Sequence, residues 1–155
     1  MNNLKILFNI INVVLLVYIW GFSVVEYFSL PERIPLHFDI NGKPDSFGAK
    51  ITIFIGAVIA TIIYFLSRFL SQNPDSKLSN IPNEMRKNKK LSGLFVRIVT
   101  FYVLLLFANI TTEIVLISKG KYQQLSEVST LILTLMFLSI LGFFLFARKK
   151  VQEIH

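Results

Sequence analysis

The chain alternates long apolar runs with short polar segments. Four apolar runs lie at 4–28, 51–70, 94–117 and 128–147. Each approaches the roughly 20 residues that a helix needs to cross the hydrocarbon core of a bilayer. Their apolar residues fall on nearly every side of a helix, which disfavours a soluble bundle with polar outer faces. The pattern therefore predicts an all-α membrane protein with four transmembrane helices.

Composition and charge extend this prediction to an orientation. Hydrophobic residues make up 54% of the chain and charged residues 16%, proportions unlike those of soluble domains. Eleven of the 16 Lys and Arg residues lie near the two termini or in the central polar segment, and five lie in the loops 29–50 and 118–127. Cytoplasmic segments carry the excess of Lys and Arg. We therefore expect both termini in the cytoplasm and these two loops outside.

The central segment, 71–92, is polar and basic. Asn73-Pro74-Asp75 predicts a turn, and Asn83 is a candidate cap for a short interfacial helix. The cluster Arg86-Lys87-Asn88-Lys89-Lys90 either controls topology alone or meets anionic lipid headgroups, at about 1 kcal/mol per basic residue. Because this cluster lies between two spans, the expected partner is the lipid bilayer and not a nucleic acid.

The first outer loop, 29–50, has strong turn chemistry. Pro31 and Pro35 favour extended backbone before them, so the chain leaves the membrane without continuing the helix. Asn41-Gly42 predicts a two-residue hairpin turn because both positions accept a positive φ. Pro44 restricts the returning strand to a sheet edge. We expect a small hairpin-like cap over the outer helix ends.

Six ionisable residues gather on this loop: Glu32, Arg33, His37, Asp39, Asp45 and Lys50. His37 with Asp39 and Asp45 could bind a divalent cation, or His37 could titrate near neutral pH beside carboxylates. A loop-one metal hydrolase is one interpretation of such a set. The alternative is that these residues only hold the cap together, with Asp45 paired to Lys50 or Arg33.

Polar residues also occur inside the first and third spans. Asn9, Asn12, Ser23 and Glu26 form a stripe on one helix face of the first span, which we expect to look into the bundle. On the third span, Tyr102, Asn109 and Glu113 share an arc, with Arg97 and Thr111 on the opposite side. Hydrogen bonds between helices explain the amides and hydroxyls, at about 0.6–2 kcal/mol each.

Glu113 is an ionisable group that lies one turn inside a span, and such groups are candidates for a functional role. Lys119, Lys121 or the first loop could supply the partner of its carboxylate. Arg97 is expected to extend toward the cytoplasmic interface. On the second span, Thr52, Gly56 and Ala60 recur every four residues and predict a close-packing face.

Motifs for enzymatic chemistry are absent from the sequence. There is no His-Glu-x-x-His, Gly-x-Ser-x-Gly, glycine-rich phosphate loop or pair of intramembrane aspartates. The chain is therefore predicted to be no enzyme and to need no cofactor, while a metal at the first loop is left open.

An ordered motif between the first two spans resembles a known domain. Its residues, spread over some 20 positions, are Pro31, Pro35, His37, Phe38, Gly42, Asp45 and Lys50. The stretch 10–70 resembles the N-terminal domain of unknown function of bacterial membrane proteins related to the sporulation-delaying-toxin immunity protein. The resemblance implies a bacterial cytoplasmic-membrane protein whose relatives protect cells from a secreted toxin and signal by binding a repressor at the membrane. Those relatives carry further spans after this domain.

These observations predict three segments: a helix-loop-helix unit at 1–70, a cytoplasmic basic loop at 71–92, and a second helix pair with a basic tail at 93–155. We expect a binding, immunity or envelope-stress signalling protein that meets a peptide toxin or membrane protein through its outer loop. The alternative is a small transporter or channel subunit working as a homo-oligomer. The residues assigned to binding are Pro31, Pro35, His37, Phe38, Asp39, Gly42, Asp45 and Lys50, and the intramembrane polar set is Asn12, Glu26, Asn109 and Glu113.

Overall fold

The computed structural model describes residues 2–73, 75–76 and 88–152, with side chains up to residue 146. Its helices are α1 (Asn2–Tyr27), α2 (Ile53–Gln72), α3 (Lys89–Ser118) and α4 (Val128–Gln152). All four are long and apolar enough to cross a membrane, which confirms the predicted all-α membrane class. Helix α3 begins five residues before the apolar run at 94–117, because a helix continues into the polar interface once its hydrogen bonds are started.

The outer surface of the helices is apolar. Val17, Val25 and Phe137 are 65%, 70% and 69% exposed, and many other large apolar side chains on the helices are also exposed. A continuous apolar surface of this kind is unfavourable in water but matches the hydrocarbon of a bilayer. The exposed surface therefore agrees with a multi-pass membrane protein.

Helix α3 is the central element of the bundle. It packs against α1, α2 and α4, and 39% of its apolar span is buried, compared with 6% of the span of α4. The main core cluster consists of Ile19, Ala57, Ala60, Leu104 and Ala108. Helix α4 rests mainly on α3, so most of its surface faces outward.

Small residues allow α2 to approach α3 closely, as predicted for two of the three positions. A Cβ at Gly56 would lie 3.7 Å from Thr111 Oγ1, and Ala60 is fully buried. Thr52 instead ends a short 3₁₀ turn (Lys50–Thr52), where its hydroxyl donates to the carbonyl of Ala49 at 2.7 Å. Thr52 therefore belongs to the helix entry.

A two-stranded antiparallel hairpin joins α1 to α2 and confirms the predicted cap. Its strands are β1 (Arg33–Phe38) and β2 (Pro44–Ala49). Leu30 and Ile34 are buried with Ile53 and Val115 in a cluster at the ends of the helices. This apolar contact, together with burial of Pro35, holds the hairpin against α3.

The predicted two-residue turn at Asn41-Gly42 is wrong. The amide of Asp39 donates to the carbonyl of Lys43 at 2.8 Å, so three residues, 40–42, form the loop. Gly42 has φ 77°, whereas Asn41 does not have a positive φ. The Asp39 carboxylate accepts hydrogen bonds from the amides of Asn41 and Lys43, at 2.9 and 2.8 Å. These bonds favour the longer loop, in which one glycine takes the left-handed position.

The central segment is described only in part. The amide of Ser76 donates to the carbonyl of Asn73 at 3.1 Å, consistent with a turn there. Asn83, Arg86 and Lys87 lie outside the described residues. Helix α3 is capped by Asn88, whose side chain accepts from the amide of Leu91 at 3.2 Å.

Candidate functional site at the hairpin end

The hairpin end of the bundle comprises residues 28–52 and the α3–α4 connection, 119–127. The two parts touch where the amide of Leu125 donates to the carbonyl of Gly42 at 2.8 Å. A Cβ at Gly42 would lie 3.2 Å from Leu125 Cβ, so glycine provides both the positive φ and the space. Nothing in the sequence pattern indicated Leu125, since this contact joins residues far apart in the chain.

A cleft lies between the hairpin turn and the connection, and we call it the cap cleft. It measures about 650 Å³ and is lined by residues 39–43 and by residues 124–127, 129 and 130. Ile40, on its rim, is fully exposed. Clefts of a few hundred Å³ accommodate small molecules or a few residues of a peptide. Ile40 is an apolar residue between Asp39 and Asn41 in a polar turn, and this departure from the usual pattern could have marked it as a candidate contact residue.

His37 and Asp45 form an exposed pair across the two strands. His37 Nδ1 lies 2.7 Å from Asp45 Oδ1, and the side chains are 71% and 46% exposed. The strand register shifts on either side of His37, and such bulges re-aim side chains. An exposed pair of this kind contributes only about 0–1 kcal/mol to stability. The fold therefore depends little on it.

The predicted pairing of Asp45 with Lys50 or Arg33 is wrong. Lys50 Nζ lies 3.0 Å from Glu32 Oε1, and Arg33 Nη2 donates to the carbonyl of Phe47 at 3.0 Å. Both cations lie near the helix end of the hairpin, where Lys50 also lies over the ring of Tyr27. Asp45 lies at the other end of β2 and therefore meets His37.

Asp39 does not join His37 and Asp45. Hydrogen bonds from the backbone amides of Lys43 and Asn41 lower the pKa of the Asp39 carboxyl below its ordinary value. Its oxygens are therefore occupied within the turn. In the part of the chain that the structure describes, no group of three or more His, Asp or Glu side chains is placed to hold a metal ion. The cation site predicted from His37, Asp39 and Asp45 is not assembled.

The motif residues thus divide into two sets. Pro35 is buried, Phe38 is half-buried, and Gly42 and Lys50 make the contacts described above. Of these, Pro35 and Gly42 hold the hairpin on the bundle, and Lys50 ties the loop before β1 to the start of α2 through Glu32. His37 and Asp45 are exposed, as is Pro31 before β1. The outward-facing set is the one available to a partner.

Glu26 and Lys119 connect the end of α1 to the end of α3 beside the hairpin. Lys119 Nζ forms a close ion pair with Glu26 Oε2, and the side chains are only 28% and 20% exposed. The hydroxyl of Ser29 donates to the same carboxylate oxygen at 3.0 Å. Glu26 therefore has a structural partner.

Glu113 is buried and its predicted partners are wrong. The hydroxyl and amide of Ser126 donate to Glu113 Oε1, the amide at 3.3 Å. Glu113 is 4% exposed, and among the described residues its Oε2 has no hydrogen-bond partner. Lys119 pairs across to α1, whereas Glu113 faces the connection that leads into α4. Glu113 thus holds the segment whose Leu125 contacts Gly42.

The remaining intramembrane polar residues connect helices. Asn12 Nδ2 donates to the carbonyl of Arg97 at 3.2 Å, which joins α1 to α3. Asn109 Nδ2 donates to Ser129 Oγ at 2.9 Å, and Tyr102 shares a 2.6 Å hydrogen bond with Ser139. Both of these contacts join α3 to α4.

Comparison with known proteins finds matches to part of the chain. A family model described as a domain of unknown function, DUF1648, matches residues 14–61. An uncharacterized protein from Archaeoglobus fulgidus is 31% identical over 52 residues, which cover 34% of this chain and 28% of that protein. The match thus spans little more than a quarter of the length of this relative. No solved structure matches the chain.

The family match begins within α1, includes the whole hairpin, and ends within α2. His37, Gly42 and Asp45 lie inside it. Leu125, Ser126 and the rest of the α3–α4 connection lie outside it. The cap cleft therefore combines the matched unit with a segment from the second half of this chain.

Proposed function

We propose that this protein is a non-enzymatic binding protein of a bacterial cytoplasmic membrane that captures a peptide segment at the cap cleft. Immunity to a secreted peptide toxin, or envelope-stress signalling, is the role that this mode of binding would serve. The excess of Lys and Arg at the opposite side supports an outward-facing hairpin with cytoplasmic termini. The observation that carries the proposal is the contact between Gly42 and Leu125, which makes two loops line one cleft.

The shape and surroundings of the cap cleft support a peptide as ligand. The hairpin turn is held by backbone hydrogen bonds, by Asp39 and by Leu125, so the cleft exists before binding. A preformed site lowers the conformational cost of association. Ile40 offers an apolar contact at the rim, while Lys43 and Glu127 offer charges of both signs. Mixed polar and apolar lining suits a peptide backbone with an apolar side chain.

The exposed pair of His37 and Asp45 supports a second contact beside the cleft. Because the pair contributes little to stability, its removal should leave the hairpin folded. Asp45 also lines a shallow depression with Arg33, Ser46 and Phe47. A bound peptide leaving the cleft along β2 would meet these residues.

A survival assay tests the proposal. Sensitive bacteria expressing the full chain would be challenged with a dilution series of secreted peptides from competing strains. We expect the protein to raise the tolerated dose, and Ile40→Ser or the double variant His37→Ala/Asp45→Ala to remove at least tenfold of that protection. Loss of one good apolar or charged contact of about 1.4 kcal/mol corresponds to this factor.

The controls are variants that leave the cap unchanged. Leu138→Ala, on the exposed surface of α4, should protect like the unchanged protein, and all variants should reach the membrane fraction in equal amounts. Full protection by the cap variants would reject the proposal. Glu113→Gln, compared with the cap variants, separates the proposal from the transporter alternative. A polar pathway through the bundle predicts that Glu113→Gln abolishes protection while the cap variants keep it. Binding at the cap cleft predicts loss in the cap variants, whether or not Glu113→Gln also disturbs the connection that Glu113 holds.

A further inference from the structure

Four cations meet at the end of the bundle opposite the hairpin. Lys5 lies in the first turns of α1, Arg68 near the end of α2, and Lys90 and Arg97 in the first turns of α3. We call this set the basic end. At Gly93, a Cβ would lie 3.0 Å from Arg97 Nη1 and 3.7 Å from Lys5 Nζ, so both cationic groups approach the same point.

The cations of the basic end repel one another. Lys5 experiences repulsion from Arg97 and Lys90, and Arg97 experiences repulsion from Arg68. The nearby carboxylate of Asp75 is paired with Lys89 at 2.8 Å. Within 2–73, 75–76 and 88–146, no ion pair joins a carboxylate to any of the four cations. The described part of this end therefore carries an uncompensated positive charge.

Two hydrogen bonds from Arg97 hold its guanidinium in place. Its Nε donates to Asn9 Oδ1 at 2.8 Å, and its Nη1 donates to the carbonyl of Gly93. Neither of these bonds uses Nη2, and none of the residues 2–73, 75–76 and 88–146 accepts a hydrogen bond from it, so within this part of the chain its two N–H groups are open to another acceptor. The guanidinium extends from Arg97 toward Gly93, in the direction of the start of α3. This direction agrees with the expectation that Arg97 extends toward the membrane interface. A fixed guanidinium with free donors suits the paired oxygens of a phosphate group.

The adjoining crevice limits where a ligand can lie. It is lined by residues of α1, α2 and α3, Asn9, Asn12, Arg68 and Arg97 among them, and has a volume of only about 10 Å³. A space of this size holds at most one water molecule. A phosphate group must therefore lie outside the crevice, beside Arg68 and Arg97, which line it, and near Lys5, whose Nζ lies close to the Arg97 guanidinium at Gly93.

The depth of this mouth in the membrane favours a lipid. Helix α3 has 30 residues and is roughly 45 Å long, whereas the hydrocarbon core is about 30 Å thick, so its ends reach the headgroup regions. Phe65 and Phe69, on either side of Arg68 in α2, are 63% and 48% exposed. Acyl chains can lie against these rings while the phosphate contacts the cations.

We propose that the basic end binds the phosphodiester of an anionic phospholipid, with Arg97 as the hydrogen-bonding anchor and Lys5 and Arg68 as flanking charges. Lipid and free phosphate share the same chemistry, and the acyl contacts favour the lipid. This site is separate from the cap cleft and does not depend on the proposed peptide binding.

Native mass spectrometry of the full chain, purified in uncharged detergent, tests the site. The protein would be titrated with phosphatidylglycerol or with phosphatidylcholine. We expect phosphatidylglycerol to bind at least tenfold more tightly. The double variant Lys5→Gln/Arg68→Gln should weaken its binding about 25-fold, at about fivefold per basic residue, and leave phosphatidylcholine unchanged.

Two further variants keep the test decisive. Lys43→Gln/Lys121→Gln makes the same change of charge at the hairpin end and should alter phosphatidylglycerol binding less than twofold. Lys5→Arg/Arg68→Lys keeps the charges and should keep the binding, which separates loss of the site from loss of the fold. Equal weakening by both Gln pairs would overturn the site. Displacement of the lipid by millimolar inorganic phosphate would overturn its assignment to a lipid.

Discussion

At the hairpin end of the bundle, cations lie against carboxylates, whereas at the basic end they lie against other cations. Lys119 pairs with Glu26 and Lys50 with Glu32, and the side chains of both lysines are partly shielded, at 28% and 22% exposed. Lys5 and Arg97 share the space around Gly93 with no carboxylate among the described residues. The two ends therefore contribute differently to the protein, although both contain basic residues from three or more elements.

The difference separates charges that stabilise the fold from charges that are available to a ligand. Partly buried pairs hold α1, α3 and the hairpin together, and removing one partner leaves the other charge uncompensated. Clustered cations are unfavourable by themselves, so they are retained only where another factor compensates them. Membrane topology and anionic lipid can both act in this way.

The largest expected effect concerns the packing of the hairpin end. Gly42→Ala should destabilise the protein by about 2–4 kcal/mol, because it combines a positive φ with a Cβ only 3.2 Å from Leu125 Cβ, a contact that Leu125 must move to accommodate. Gly120→Ala is the matched control, since Gly120 has φ 70° but open space around it, and should cost only about 1–2 kcal/mol. Unfolding in mixed micelles with increasing dodecyl sulfate, followed by circular dichroism, measures both. Equal losses would show that the contact between the hairpin and the connection contributes nothing.

The next effect compares one lysine from each end. Lys119→Met should lower the free energy of unfolding by about 1–3 kcal/mol, because Glu26 is left partly buried without its cation. Lys5→Met should leave stability unchanged or raise it slightly in uncharged detergent, since repulsion by Arg97 and Lys90 is relieved. The same micelle titration applies to both. Destabilisation of similar size at the two ends would contradict the comparison.

The smallest effect is a pH dependence within the hairpin turn. Hydrogen bonds from the amides of Lys43 and Asn41 place the pKa of Asp39 below its ordinary value of 3.8. The turn is therefore fully stabilised above pH 3.8 and loses this contribution as the pH falls through the lower pKa of the folded state. The protection of the Lys43 amide against hydrogen exchange, measured relative to its intrinsic rate at each pH, should fall over that acid range. Asp39→Asn should abolish this change, and an unaltered profile in that variant would assign it to another group.

Several features of the fold follow from local sequence. Each of the four spans is long and has apolar residues on all sides. A lipid environment could therefore be inferred for each helix without knowing which other helices it packs against. The prolines and Asn41-Gly42 also indicated a hairpin, because turn chemistry acts over a few residues. The form of the turn could not be inferred in the same way. It depends on which amides the Asp39 carboxylate reaches, and Asn41 need not use the positive φ that it tolerates.

The partners of the polar residues required the tertiary structure. Helical periodicity placed Glu113, Asn109 and Tyr102 on one arc, and all three do contact α4 or the segment before it. Periodicity could not show that Lys119 forms an ion pair with Glu26, or that Glu113 accepts hydrogen bonds from Ser126 instead of pairing with Lys119. Nor could spacing along the loop show that Asp39 lies in its own turn, away from His37 and Asp45.

The sequence by itself determined the membrane setting, the number of spans and the presence of the hairpin, because hydrophobic length and turn chemistry are properties of contiguous residues. Only the tertiary structure decided that Leu125 meets Gly42, that the cap cleft is built from two loops, and that Lys5 of α1 and Arg97 of α3 both lie near Gly93. These contacts join residues more than 20 positions apart. They arise from the way in which the helices pack, which no short segment specifies.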